Sequence, residues 1–145
     1  MTPQPVLTNE EVATRLRIAV NRLQRRLRQQ SLEGLSPAQA SALGTVNRLG
    51  QPTLGELAAI EQVQPPSMTR IVANLADSGM VTREADASDR RSARVRITPA
   101  GTRALERMRT AKNAFLLRRL GDLSAGEQRR AEELVGLLEH LLVEP

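Results

Sequence analysis

The stretch TLGELAAIEQVQPPSMTRIVANLADSGMVTREADASDRRSARVRITPAG, residues 53–101, changes its periodicity partway, and that change decides the fold. Thr53 followed three residues later by Glu56 reads as a capping box. Leu54, Leu57, Ala58 and Ile60 then give a helix of barely two turns a buried stripe. Pro65 and Pro66 cannot lie in a helix interior but suit a first turn, so the next helix starts near Gln64 and ends at Gly79. Its core face is Met68, Val72 and Leu75. After Gly79 the period drops to two. MVTRE (80–84) and ARVRIT (93–98) read as a hairpin whose long tip holds paired arginines. In its second strand Val95 and Ile97 share one face, and Arg94 and Arg96 share the other.

Working outward, Thr8 and Glu11 form another capping box. Val12, Leu16, Val20, Leu23 and Leu27 recur behind it at helical spacing, which predicts a first helix from about residue 9 to 30. Ser36-Pro37 reads as an N-cap and first-turn proline for a second helix, with Ala40, Leu43, Val46 and Leu49 apolar until Gly50. Thr98-Pro99 repeats that signal for a fifth helix from 99 to about 120, burying Leu105, Met108 and Phe115. Ser124 and Glu127 start a sixth, whose apolar residues (Leu134, Leu137, Leu138, Leu141 and Leu142 among them) cover a wide surface for a terminal helix. After the first helix, the order from 36 to 98 is helix, short helix, proline-started helix and basic-tipped hairpin. That is a winged helix-turn-helix inside a mainly α single domain of residues 1–145 with a small β-hairpin wing.

Composition narrows the function. Cysteine is absent and His140 is the single histidine, which excludes disulfides, thiol redox sensing and multi-histidine metal sites. No nucleophile with a histidine partner and no phosphate-cradling glycine loop is present, so neither an enzyme nor a resident cofactor is expected. The chain lacks a signal-peptide pattern and any run near the roughly 18 apolar residues of a membrane span, and a soluble cytoplasmic protein without membrane contact is expected. The net charge is +5, carried almost wholly by arginine, so where the charge sits matters more than its sum. Phe115 is the sole aromatic residue, which argues against modules that stack single-stranded bases and leaves duplex DNA.

Residues 53–101 resemble the multiple-antibiotic-resistance regulator (MarR) family of bacterial transcription factors. The resemblance is carried by Leu57-Ala58, the proline-started helix with Arg70, then Leu75, Gly79, Val81 and Arg83, the run Asp89-Arg90-Arg91, and finally Ile97-Thr98-Pro99-Ala100-Gly101. It is close over about 50 residues and loose over the flanking helices. It implies a double-stranded-DNA-binding regulator acting as a homodimer, with 36–101 as the DNA-binding region and 8–32 and 102–143 as dimerisation helices. It also implies a repressor on a pseudo-palindromic operator, released by a small aromatic or anionic ligand. One departure stands out: the family has a small polar N-cap before its recognition helix, whereas this chain has Gln64 and two prolines.

In a helix-turn-helix the second helix enters the major groove. Positions opposite Met68, Val72 and Leu75 are Pro66, Ser67, Arg70 and Asn74, with Gln64 at the entrance. Arg70 suits guanine, Gln64 or Asn74 suits adenine, and Pro66 suits a thymine methyl. The alternatives are a solvated or intramolecularly paired Arg70, a solvated Asn74 and a Ser67 that satisfies local backbone groups. By the resemblance Arg91 enters the minor groove and Asp89 orders the loop. Arg90, Arg94 and Arg96 then contact phosphates or support the wing. The alternatives are an Asx turn at Asp89 and arginines that keep an exposed hairpin soluble. Ser36 can meet a phosphate or serve as a plain N-cap.

Two further choices stay open at this level. The end helices either dimerise or complete the monomer's own core. The ligand pocket can draw on Leu43, Met108, Phe115, Arg15, Arg22 or Arg26, each of which packing or solvation also explains. The rival readings are a winged-helix module for protein contact and an activator without small-molecule response.

Overall fold

The computed structural model describes residues 6–88 and 92–143. The elements follow the order α1 (Asn9–Arg28), α2 (Pro37–Leu49), α3 (Leu54–Glu61), α4 (Pro65–Asp77), β1 (Val81–Ala85), β2 (Ala93–Ile97), α5 (Pro99–Gly121) and α6 (Ala125–Leu142). Helix starts are fixed by local chemistry. Thr8, Ser36, Thr53 and Ser124 each accept the backbone N–H three residues on, and Glu11, Gln39, Glu56 and Glu127 reach back to the cap amide. Each such cap is worth about 1 kcal/mol against alanine.

The core gathers around the helix-turn-helix. Leu43 and Val46 of α2, Leu57 of α3, Met68, Val72 and Leu75 of α4, Val81 and Val95 of the hairpin and Met108 of α5 form one buried cluster. The expected core face of α4 is therefore the observed one. Ile60, expected in the stripe of α3, is exposed. At about 100° per residue it lies about 110°, more than a quarter-turn, from the centre of the arc shared by Leu54, Leu57 and Ala58. Gly79 takes φ 75°, the left-handed conformation that lets the chain leave α4, and the Met80 amide reaches back to the Leu75 carbonyl at 2.9 Å.

The wing is a two-stranded antiparallel hairpin pairing Val81 with Ile97, Arg83 with Val95 and Ala85 with Ala93. It is tied to the turn between α2 and α3: the Val95 amide donates to the Pro52 carbonyl at 2.9 Å, and Thr53 bridges Arg94.

The chain falls into two compact units, Met1–Lys112 and Asn113–Pro145, divided inside α5. In the second, the Gln128 side-chain amide donates to the Leu120 and Leu123 carbonyls at 3.1 and 3.3 Å, closing the end of α5. The Arg119 guanidinium lies 5.4 Å from the centre of the Phe115 ring. Neither α1 nor α6 contains a buried residue, although both carry leucine-rich faces.

Candidate nucleic-acid interface

α4 is held from behind and free in front. Behind it, Ser41 donates to the Glu61 carboxylate at 2.7 Å and the buried Thr45 hydroxyl donates to the other Glu61 oxygen, fastening α2 to the end of α3. Burying the Thr45 hydroxyl without this acceptor would cost about 1–3 kcal/mol. In front, Gln64, Pro66, Ser67, Arg70 and Asn74 are all exposed. Among the described residues, the side chains of Gln64, Ser67, Arg70 and Asn74 make no hydrogen bond or ion pair. The Thr69 hydroxyl is instead taken up by the Pro65 carbonyl at 3.0 Å. The four positions expected on α4 and Gln64 at its entrance are thus all left exposed.

Ser36 lies at the start of α2, exposed, with its hydroxyl oxygen accepting the Gln39 amide at 3.1 Å. It is an N-cap, and among the described residues its hydroxyl hydrogen has no acceptor. Asp89, Arg90 and Arg91, expected at the wing tip, lie outside the described residues.

Arg94 is committed within the chain. Its Nη1 donates to the Gln51 carbonyl at 2.8 Å and its Nη2 stands 3.4 Å from the Asp86 carboxylate. The Gln51 side-chain amide, turned so that its oxygen faces Arg96, accepts from that guanidinium, with Nε at 3.2 Å. Both outward arginines of β2 therefore converge on Gln51. Of the two roles weighed for Arg94, wing support is the one its contacts perform. Asp86 also accepts the Ser88 amide at 3.2 Å and the Ser88 hydroxyl at 3.1 Å. These bonds, the Ser88 amide first and then the Arg94 guanidinium, hold its carboxyl below the usual carboxylate range. Sequence reasoning missed Asp86, Gln51 and Glu61. The Asp-Ala-Ser spacing at 86–88 was a legible Asx-turn signal for the first, whereas the other two act over long sequence separations.

A groove of about 420 Å³ opens within the first unit. Leu27, Leu105 and Met108 supply apolar wall, and Arg28, Arg109 and Lys112 supply three cations. Of the pocket residues weighed from sequence, Met108 lines it, Leu43 is core, Arg15 borders a separate surface depression, and Phe115 belongs to the second unit. Among the described residues no group of His, Cys, Asp and Glu could hold a metal ion, and no helix is long and apolar enough to cross a membrane.

Residues 35–93 match the profile of the MarR family. An uncharacterised helix-turn-helix-type transcriptional regulator of Mycobacterium leprae is 37% identical over 132 residues, covering 88% of this chain and 92% of the relative. A candidate transcriptional regulator from Pseudomonas aeruginosa superposes with a TM-score of 0.80 at 28% identity, over 96% of this chain and 100% of its own. A MarR family protein from Bacillus stearothermophilus shares the fold, with a TM-score of 0.73 at 23% identity over 96% of this chain and 100% of its own. The helix-turn-helix, the wing and these likenesses converge: the chain belongs to the MarR family of DNA-binding transcriptional regulators.

Proposed function

We propose that this chain works in the cytoplasm as a homodimeric repressor that binds a pseudo-palindromic operator and answers to a small anionic or aromatic ligand. Residues 36–101 contact the DNA, and the helical segments 8–32 and 102–143 join the two copies. The observation that carries this reading is the pairing of a free polar face on α4 with apolar helices left bare at the chain's ends. The side chains of Gln64, Ser67, Arg70 and Asn74 have no partner among the described residues, and α6 leaves Leu137, Leu141 and Leu142 63%, 66% and 80% exposed. Apolar surface of that extent marks an interface. A two-fold interface would set two α4 helices about one DNA turn apart, ~34 Å, and demand an operator of matching symmetry.

The groove beside Met108 supports the ligand response. Three cations around an apolar wall suit a ligand that is flat or apolar on one side and anionic on the other. Such a ligand releases DNA only if it binds the DNA-incompatible arrangement more tightly.

Footprinting on the DNA upstream of the chain's own gene tests the reading. Two protected halves related by two-fold symmetry, centred about 10 base pairs apart, are expected. Protection of a single unrepeated half-site would contradict it.

A further inference from the structure

Helices α1, α2, α3 and α6 commit their N-cap side chains to themselves, with Thr8, Ser36, Thr53 and Ser124 each accepting an amide of its own first turn. α4 does not. Proline occupies its first two positions, so two of the amides that a helix start normally leaves unpaired are missing. The Gln64 carbonyl already closes the first turn by accepting the Met68 amide at 3.0 Å. The Gln64 side-chain carboxamide makes no cap bond and is exposed.

The same prolines remove the N–H groups with which a helix N-terminus holds phosphate. The leading edge of α4 is therefore a poor phosphate site. What remains there is the Gln64 carboxamide, the amide and hydroxyl of Ser67 and apolar ring surface, and of these the carboxamide and the rings are chemistry for base edges. A carboxamide offers one donor and one acceptor side by side. Adenine alone shows the complementary acceptor and donor, N7 and N6, in the major groove, and thymine alone shows a methyl group there. Guanine's two acceptors would face the carboxamide oxygen unfavourably.

We propose that Gln64 and Pro66 select an A·T pair in each half-site, Gln64 pairing with adenine N6 and N7 and Pro66 packing on the thymine methyl. This rests on the reading of α4 as the helix in the major groove. Arg70 stands six residues further on, about 9 Å along the helix axis, and its guanidinium suits guanine. The half-site then holds its A·T pair within about three base steps of a G·C pair. Thr69, tied to the Pro65 carbonyl, does not compete for the same base.

Selection of bound duplexes from a randomised library, with the full chain and with Gln64→Ala and Gln64→Glu, tests the assignment. The parent is expected to enrich a two-fold symmetric consensus with an A·T pair at one position of each half. Gln64→Ala should lower the preference at that position by between about fivefold and 150-fold and leave the other positions unchanged. Gln64→Glu should move the preference to cytosine, whose N4 amine a carboxylate accepts. Unchanged thermal midpoints for both variants would show that folding is intact, as the exposed position predicts. An A·T preference that survives both substitutions overturns the role of Gln64 while leaving the operator reading intact. A parent that enriches no symmetric sequence overturns both.

Discussion

The amide of Thr98 donates to the carbonyl oxygen of Met80 at 3.0 Å, so the chain leaving the wing is fastened to the chain leaving α4. The Thr98 hydroxyl donates to the Gly79 carbonyl and accepts the Gly101 amide at 3.1 Å, capping α5 in the same place. A β-carbon on Gly101 would run into that Met80 carbonyl oxygen and the Ile97 side chain. This knot gives the run from Ile97 to Gly101 a physical reason: strand exit, cap, first-turn proline and close approach must coincide.

Gly101→Ala should therefore destabilise the chain by on the order of 1–3 kcal/mol, because the atom in the way is backbone and cannot swing aside. Gly44→Ala is the contrasting case. A β-carbon there meets nothing within 4 Å among the described residues, and a helical glycine-to-alanine change should stabilise by about 0.5–1 kcal/mol. Urea unfolding of the two variants checks both signs, and a neutral Gly101→Ala would remove the close approach from the argument.

Arg94→Ala separates wing support from phosphate contact. With its guanidinium on the Gln51 carbonyl and Asp86, its loss should weaken operator binding through a loosened wing. The slope of log affinity against log salt should stay where it was. A phosphate contact would instead lower that slope by about one unit. Binding isotherms at four or five salt concentrations decide between the two.

Arg91→Ala should behave in the opposite way. Affinity should fall, the salt slope should drop by about one, and the preference for A·T pairs flanking the α4 contacts should weaken. Equal affinity for parent and variant at every salt concentration would remove Arg91 from the interface.

Glu33 and Arg107 pair at 2.8 Å across 74 residues of sequence, and this contact, with Ser31, holds the Glu33 carboxyl below its ordinary value of 4.5. A carboxylate lowered on folding adds stability above its unfolded pKa and loses it as pH falls through the folded one. The parent should thus melt above Glu33→Gln by a constant margin from neutral pH down to about pH 5, and the margin should close in acid. A margin that persists in acid would show that the pair is not its source.

Leu137→Glu with Leu141→Glu should leave each chain folded, since both positions are largely exposed within it, but should halve the mass in solution. Light scattering gives the answer directly, and a dimer that survives the charges would move the interface away from α6.

Helix starts were legible because their determinants sit within four residues: Thr or Ser followed by Glu, and Pro65-Pro66 or Pro99 at a first turn. The wing was legible from alternation, and the α4 face followed from the phase of Met68, Val72 and Leu75. Ile60 was misplaced because apolar type was counted without its angle around the helix. What stayed hidden was side-chain pairing across the fold. Glu61 meets Thr45 and Ser41 over 16 and 20 residues, and Arg94 meets Gln51 over 43. No local spacing encodes those distances, which is why Arg94 read equally as a phosphate ligand and as a brace.

Sequence-specific dimeric binding is tested most directly by titrating the full chain against its own upstream DNA and a scrambled duplex of equal length, by fluorescence anisotropy at several salt concentrations. Tight binding to the upstream DNA alone, at two chains per site and with a steep salt slope, is the predicted result. No binding to either duplex even at low salt would contradict it and favour a winged helix that meets protein rather than DNA.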